Sequence, residues 1–316
     1  MKPTSIISMV VAVLLIIAGF VTCLIAENMA ESEGKMLFAE NREDGLVNTV
    51  DLSDTAVSKL EINVSDAQIH IYGGSESSYI ELINFRENYY SLNASNRVVS
   101  FDEVPDVTSM LKFWENGMSF KGIRYLLTFD KSDEPEGDKI INVYLGGENI
   151  DLKILNITGN ICDVYLEKLD YSTDYAVTLT DGNFTMTSCK NASSLTLNGT
   201  DIRANMKETI VSTFNIACSK FTLDAYRMMS PTTVIDCEVA DIDLTPTQSL
   251  GSINYDITLD SGSITVAGSN VGNSYVQTAS STNSFQLIAT SGEVILNNPP
   301  TQAEITGGAA WPPASN

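Results

Sequence analysis

A short pattern of apolar residues recurs along this chain at intervals of about 20 residues. Its clearest copy, residues 177–186, reads VTLTDGNFTM: two apolar residues one apart, a polar segment containing Gly182, and two more apolar residues one apart. Further copies begin at Leu195, Phe214, Ile235, Ile257 and Leu287. A unit this short cannot bury its own apolar face, so successive copies are expected to stack and share one interior.

The alternation inside each copy identifies the repeated unit as β structure. Apolar residues two apart are typical of strands, and the β-branched content of the copies excludes helical repeats. We expect turns at the glycines at 159, 182, 199, 262 and 292. The predicted fold is therefore all-β, a parallel β-helix-like solenoid, and the repeat defines a domain at 59–297.

The amino-terminal segment predicts a membrane anchor. An uncharged apolar run extends from Ile6 to Ala26, and 21 residues at about 1.5 Å each reach about 31 Å, enough for a bilayer core of about 30 Å. We expect an uncleaved transmembrane helix there, with a cleaved signal peptide as the alternative. The few flanking charges place residues 1–5 in the cytoplasm and the rest of the chain outside the cell. Residues 27–58 are then a linker and 298–316 a disordered tail.

Charge and composition narrow the classes of partner. Forty acidic and eighteen basic residues give a net charge of -22, which would repel a phosphate backbone, so nucleic acid binding is excluded. The single histidine, His70, follows the strand alternation and is expected to face solvent. The cysteine spacing fits no zinc site, and we expect Cys162, Cys218 and Cys237 to be small buried residues, with two disulfides among the four exported cysteines as the alternative. No cofactor and no metal are predicted.

The outward positions of the repeat supply the candidate ligand face. Asp201, Lys220 and Asp241 flank the third apolar position in three successive copies, so opposite charges would alternate up one ladder, with Asp243 just beyond it. A longer interval near the end leaves residues 268–284 as an inserted loop that contains Tyr275. Insertions in repeat arrays tend to lie on one face, so Tyr275 is a candidate contact residue.

Three of the copies carry a family resemblance. TLTDGNFTM, TLDSGSITV and ATSGEVIL, preceded by INVYLGGENIDLKILNITGNICDVYL, resemble the bacterial putative-adhesin family, a domain family of unknown function with repeated Ser/Asp-Gly-x-apolar units. The resemblance covers roughly residues 59–297; Gly146 stands where that family often has proline. It implies a parallel β-helix-like ectodomain on the outer face of a bacterial cell, with no agreed catalytic residues to transfer.

The expected function is that of a non-enzymatic cell-surface protein, an adhesin or an envelope-associated binding module. Its partners would be the membrane, through residues 6–26, and a glycan or protein of the envelope or of the surroundings. Two alternatives remain open: an envelope-stress or cell-wall assembly factor, and a polysaccharide-acting enzyme that uses paired carboxylates such as Asp241 and Asp243.

Overall fold

The computed structural model describes residues 46–85, 90–103 and 137–301. The described chain is all-β, with one 3-10 turn at Leu250–Ser252. The all-β class expected from the alternation of apolar residues is therefore confirmed for this part of the chain.

The predicted transmembrane helix from Ile6 to Ala26 lies outside the described residues and stays a prediction. The predicted tail lies outside them as well from residue 302 onward. Within the part of the chain that the structure describes, no helix has the length and apolar character needed to cross a membrane.

Fifteen strands form a single, mostly parallel sheet in the described part of the chain. The strands are β1 (Val47–Asp51), β2 (Val57–Ser75), β3 (Tyr79–Ile83), β4 (Tyr90–Ser95), β5 (Val98–Glu103), β6 (Ile140–Gly146), β7 (Ile150–Glu167), β8 (Asp174–Thr187), β9 (Ala192–Lys207), β10 (Val211–Met228), β11 (Thr232–Pro246), β12 (Asn254–Val266), β13 (Ser269–Gly272), β14 (Ser274–Gln277) and β15 (Ser284–Leu296). The main path runs β1-β3-β6-β2-β7-β8-β9-β10-β11-β15-β12-β13.

Consecutive long strands pair in parallel with a nearly constant offset. The positions Ile157, Val177, Leu197, Ile216 and Ile235 face one another in successive pairs, at intervals of 20, 20, 19 and 19 residues. The sequence-based alignment of copies was wrong by two residues in three steps: it matched the copy that begins at Leu155 with Val177, Val177 with Leu195, and Phe214 with Ile235. Each strand has apolar residues at three or more alternate positions, so a shift of two preserves the pattern.

Each long strand is divided by a break in the ladder. One residue per strand is left unpaired there, for example Thr180 in β8 and Thr200 in β9. The buried alternation changes phase at the break, since Leu179 and Gly182 are buried whereas the two residues between them are exposed. We call the part before the break the first arm and the part after it the second arm. Both arms contribute to one continuous core.

Glycines beside the break permit close stacking of neighbouring strands. A Cβ on Gly199 would lie 1.7 Å from the Leu179 carbonyl oxygen, and one on Gly182 would lie 2.0 Å from the Cys162 carbonyl oxygen. The prediction of turns at glycines 159, 182, 199, 262 and 292 was wrong, because all five lie within continuous strands. The role of Gly182 and Gly199 is to leave room for the backbone of the preceding strand.

The first long strand, β2, pairs with pieces of chain that are far apart in sequence. Its first arm pairs with β5 and its second arm with β6, both in parallel. On the side of the second arm, β3 pairs antiparallel with β6, and β1 pairs antiparallel with β3. The sheet therefore begins at Val47, inside the segment 27–58 that was predicted to be a linker.

The carboxyl-terminal strands depart from chain order. β15 lies between β11 and β12, in parallel with both. β14 and β13 then pair antiparallel with the first and second arms of β12, so residues 268–284 include two edge strands rather than only an inserted loop. β15 ends at Leu296.

Three of the four cysteines in the described part of the chain lie in the core. Cys162, Cys189 and Cys237 are buried and Cys218 is partly buried, all as free thiols. Burial raises the pKa of Cys162 and Cys189 to about 11. The expectation of small buried residues is confirmed for Cys162 and Cys237.

Candidate binding face

The second arms present an outer face, the side that points away from the core. On it, Asp201 Oδ2 lies 3.5 Å from Lys220 Nζ and 3.6 Å from Arg203 Nη2. Asp181, the parallel neighbour of Asp201 on the other side, repeats the acidic charge. These pairs are partly exposed, so each stabilises the fold by about 1 kcal/mol or less.

The predicted ladder of alternating charge is broken after Lys220. Val239 is the next residue in that row, whereas Asp241 pairs with Thr222 and Glu293 in the neighbouring row. The predicted alternation of Asp201, Lys220 and Asp241 was therefore wrong at its third member. The cause is the same two-residue error in the alignment of Phe214 with Ile235, which matched Lys220 with Asp241 instead of Val239.

Asp241 and Asp243 are exposed residues on an open strand. Asp241 accepts a hydrogen bond from the Glu293 backbone N–H at 3.3 Å, and Asp243 accepts one from Asn297 at 2.5 Å. Asp224 pairs with Asp243 across the ladder. Partial burial, and then the charge of Asp243, raises the pKa of Asp224. The acids are held in a patch, but neither Asp241 nor Asp243 has the burial that general acid catalysis by a carboxyl group requires.

Tyr275 lies at the other end of the described sheet, in β14. Its ring packs 5.7 Å from the Tyr255 ring, and its hydroxyl donates to Gln277 Oε1 at 2.6 Å. The side chain is half-buried against the core. The structure does not bring Tyr275 together with the charged candidates, because it lies on the edge strand beyond β12.

The outer face also carries a row of aromatic rings that the sequence analysis missed. Tyr79, Tyr144, Tyr72, His70 and Tyr165 form the tyrosine row, with successive ring centroids 4.4, 5.1, 6.1 and 4.5 Å apart. Interplanar angles of 5° to 20° make every contact a stacked one. All five rings are partly exposed.

The row is assembled by register. His70 pairs with Tyr165 in β7, Tyr72 pairs with Tyr144 in β6, and Tyr144 pairs with Tyr79 in β3. Because the faces of the rings cover one another, the surface offered to a partner consists of ring edges and hydroxyl groups. Tyr72 Oη and His70 Nδ1 share a hydrogen bond of 3.3 Å, which ties two neighbours together.

Partial burial also affects the charge states of the groups in the row. Burial lowers the pKa of His70, although the charge of Asp163 acts in the opposite direction. Burial raises the pKa of Tyr72, and the neighbouring Glu167 adds to the effect. Burial likewise raises the pKa of Tyr144 and Tyr165. His70, Tyr72, Tyr144 and Tyr165 therefore form a neutral, amphipathic strip on a strongly acidic chain.

Sequence reasoning had one usable signal for this row. His70 and Tyr72 are outward residues two apart, and so are Asp163 and Tyr165. Aligning the copy at Ile69 with the copy at Val164 would have placed His70 beside Tyr165. His70 lies on the solvent side of the sheet, as expected, but its surroundings were not predicted: the Tyr165 ring stacks on it and the Tyr72 hydroxyl shares a hydrogen bond with it.

Comparison with known proteins finds slight similarity. No protein-family model and no curated protein matches the chain. A solved putative adhesin from Parabacteroides merdae aligns at 10% identity with a TM-score of 0.42, covering 82% of this chain and 98% of that one. A putative adhesin from Parabacteroides distasonis aligns at 10% identity with a TM-score of 0.41, covering 80% of this chain and 98% of that one. A putative cell adhesion protein from Clostridium sporogenes aligns at 10% identity with a TM-score of 0.37, covering 80% of this chain and 98% of that one. Similarity at this level does not establish a family for the chain.

Proposed function

We propose that the chain is a non-enzymatic, membrane-anchored protein of the bacterial cell surface, an adhesin-type module that binds its partner surface through the tyrosine row. The observation that carries the proposal is the row itself. Tyrosine supplies a large, rigid, amphipathic contact at a low cost in conformational entropy, and it is enriched in binding surfaces. Rings that are already stacked need little further ordering when a partner binds.

The proposed architecture is a β-solenoid that carries this face away from the membrane. Parallel pairing at intervals of 19 or 20 residues and a core filled from both arms support a coiled path. The anchor is supported by the uncharged run of 21 residues from Ile6 to Ala26. The domain would then face the outside of the cell.

The non-enzymatic part of the proposal rests on the candidate catalytic groups. The imidazole of His70 stacks between Tyr72 and Tyr165, and its Nδ1 already has a hydrogen-bond partner. Asp241 and Asp243 are exposed and bonded to Glu293 and Asn297. These groups are better explained as parts of a surface than as a general base or a tuned carboxylate pair.

The test is capture of labelled envelopes by host cells that display the full chain. We expect capture of foreign cell envelopes or matrix, and loss of most capture in the double variant Tyr72→Ala/Tyr144→Ala. Thr185→Ala/Thr187→Ala is the matched control, since both threonines lie on the same face in β8 beyond the row. Preferential capture of envelopes from the source organism would overturn the adhesin proposal in favour of an envelope-assembly factor. Equal capture by both double variants would overturn the role of the tyrosine row.

A further inference from the structure

One inward row of the core contains a small residue where the others are large. Successive parallel partners in this row are Leu155, Tyr175, Leu195, Phe214, Thr233, Phe285 and Tyr255. Thr233, in β11, is only 3% exposed. Beside it lies a pocket of about 30 Å³. A water molecule needs roughly 10 to 15 Å³ measured in this way, so a few non-hydrogen atoms fit without any rearrangement.

The pocket is apolar inside and polar at its rim. Phe214, Phe285 and Met228 are among its buried walls, while Thr247 and Gln248 are lining residues with access to solvent. Although the chain carries a net charge of -22, none of the residues that line the pocket is charged. A neutral occupant is therefore favoured over an ion, because a charge would lose its hydration without gaining a partner.

Tyr255, a residue with a buried hydrogen-bond donor, also lines this pocket. Tyr255 is 1% exposed, and its hydroxyl has no hydrogen-bond partner. Burial raises the pKa of this phenol, and so does the nearby Tyr275, which keeps the hydroxyl protonated and able to donate. Buried polar groups are normally paired, so an unpaired hydroxyl on a residue that lines a pocket points to an acceptor supplied from outside.

We propose that this pocket is a binding site for a very small neutral molecule of two or three non-hydrogen atoms with a short apolar part and one hydrogen-bond acceptor, such as methanol or ethanol, and that the Tyr255 hydroxyl donates to that acceptor. The apolar body would lie in the space that Thr233 leaves between Phe214 and Phe285. Met228 and Met229 also line the pocket, and the flexible thioether side chain of methionine accommodates occupants of different shape. The site is inside the fold and does not depend on the outer face.

The proposal is tested by titrating ethanol into the full-length chain in lipid nanodiscs while the methyl signals of Met228 and Met229 are followed by NMR. We expect a saturable shift of both signals. Thr233→Leu fills the space with a side chain of the size found elsewhere in the row and should abolish the shift. Tyr255→Phe removes the donor and should weaken binding about fivefold, as expected for one neutral hydrogen bond.

Tyr175→Phe is the matched control for the second variant. Tyr175 lies in the same inward row and also has a buried hydroxyl without a partner, but it does not line the pocket. This variant should bind as the native chain does. Absence of a saturable shift in the native chain, native-like binding by Thr233→Leu, or equal weakening by Tyr255→Phe and Tyr175→Phe would each overturn the proposal.

Discussion

At the scale of single residues, His70 links the charge state of the tyrosine row to pH. Its ring lies 4.5 Å from that of Tyr165 and 6.1 Å from that of Tyr72, with nearly parallel planes. Burial between these rings disfavours the imidazolium ion, so the pKa of His70 in the fold lies below its ordinary 6.5. Well above pH 6.5 the residue is neutral in the folded and the unfolded chain alike.

The consequence is a loss of stability on mild acidification. As the pH falls below 6.5, the unfolded chain takes up the proton first, so the free energy of unfolding falls until the folded pKa is passed. We expect His70→Phe, which retains a stacked ring, to lose less stability than the native chain as the pH is lowered from about 7 to below the folded pKa of His70. Since His70 is partly exposed, the difference should stay below the limit of about 1.4 kcal/mol per pH unit.

Urea unfolding at a series of pH values measures this difference. Tyr165→Phe is the control, because it retains both the stack and the histidine and should follow the native curve. If His70→Phe loses as much stability as the native chain over the same pH range, burial of the histidine is not the cause of the pH dependence.

At the scale of the strand, the stacking distance depends on glycine beside the ladder break. We expect Gly199→Ala to destabilise the fold, because the added Cβ would lie 1.7 Å from the Leu179 carbonyl oxygen and that backbone cannot rotate away. Overpacking of this kind costs about 1 to 3 kcal/mol. Gly251→Ala is the matched control, since its new Cβ would meet nothing nearer than the Ser249 hydroxyl at 3.8 Å. Chemical denaturation of the two variants checks the prediction, and equal stability would refute the close-approach explanation.

The strand is also the scale at which sequence and structure can best be compared. Alternation and the interval of about 20 residues predict the all-β class and most of the long strands, because a shared core imposes the same pattern on every copy. Register was not predictable in full. Thr233 takes an inward position that elsewhere holds Phe214 or Phe285, so the pattern at β11 could be shifted by two residues without losing an apolar match.

Strand order and the candidate site were harder still to predict. Nothing in the local sequence of β15 places it between β11 and β12, since that position depends on which neighbour completes its core. The outward charges Asp201 and Lys220 were paired correctly, as they flank apolar residues in adjacent copies. The tyrosine row joins residues as far apart as His70 and Tyr165 through three different partner strands, and it emerges only when the register is known.

At the scale of the whole molecule, a stacked repeat should tolerate the loss of one complete unit. In a solenoid each unit contacts only its neighbours, so removing one leaves two surfaces that still match. Leu197 and Ile216 occupy equivalent positions in β9 and β10. Deleting residues 197–215 joins Thr196 to Ile216 and preserves the alternation on both arms. In the native chain Asp181 faces Asp201. In the deletion variant Lys220 would take the place of Asp201 and lie next to Asp181.

We expect this deletion variant to fold into a shorter, less stable sheet with a single cooperative unfolding transition, as measured by circular dichroism and urea unfolding. Deleting residues 197–216 is the control, because one further residue reverses the direction of every side chain in the remainder of that strand. That variant should expose its apolar face and aggregate. If both deletions unfold the protein, or if both are tolerated, the chain is not a solenoid of equivalent units, because only stacked units of a fixed register can distinguish a loss of 19 residues from a loss of 20.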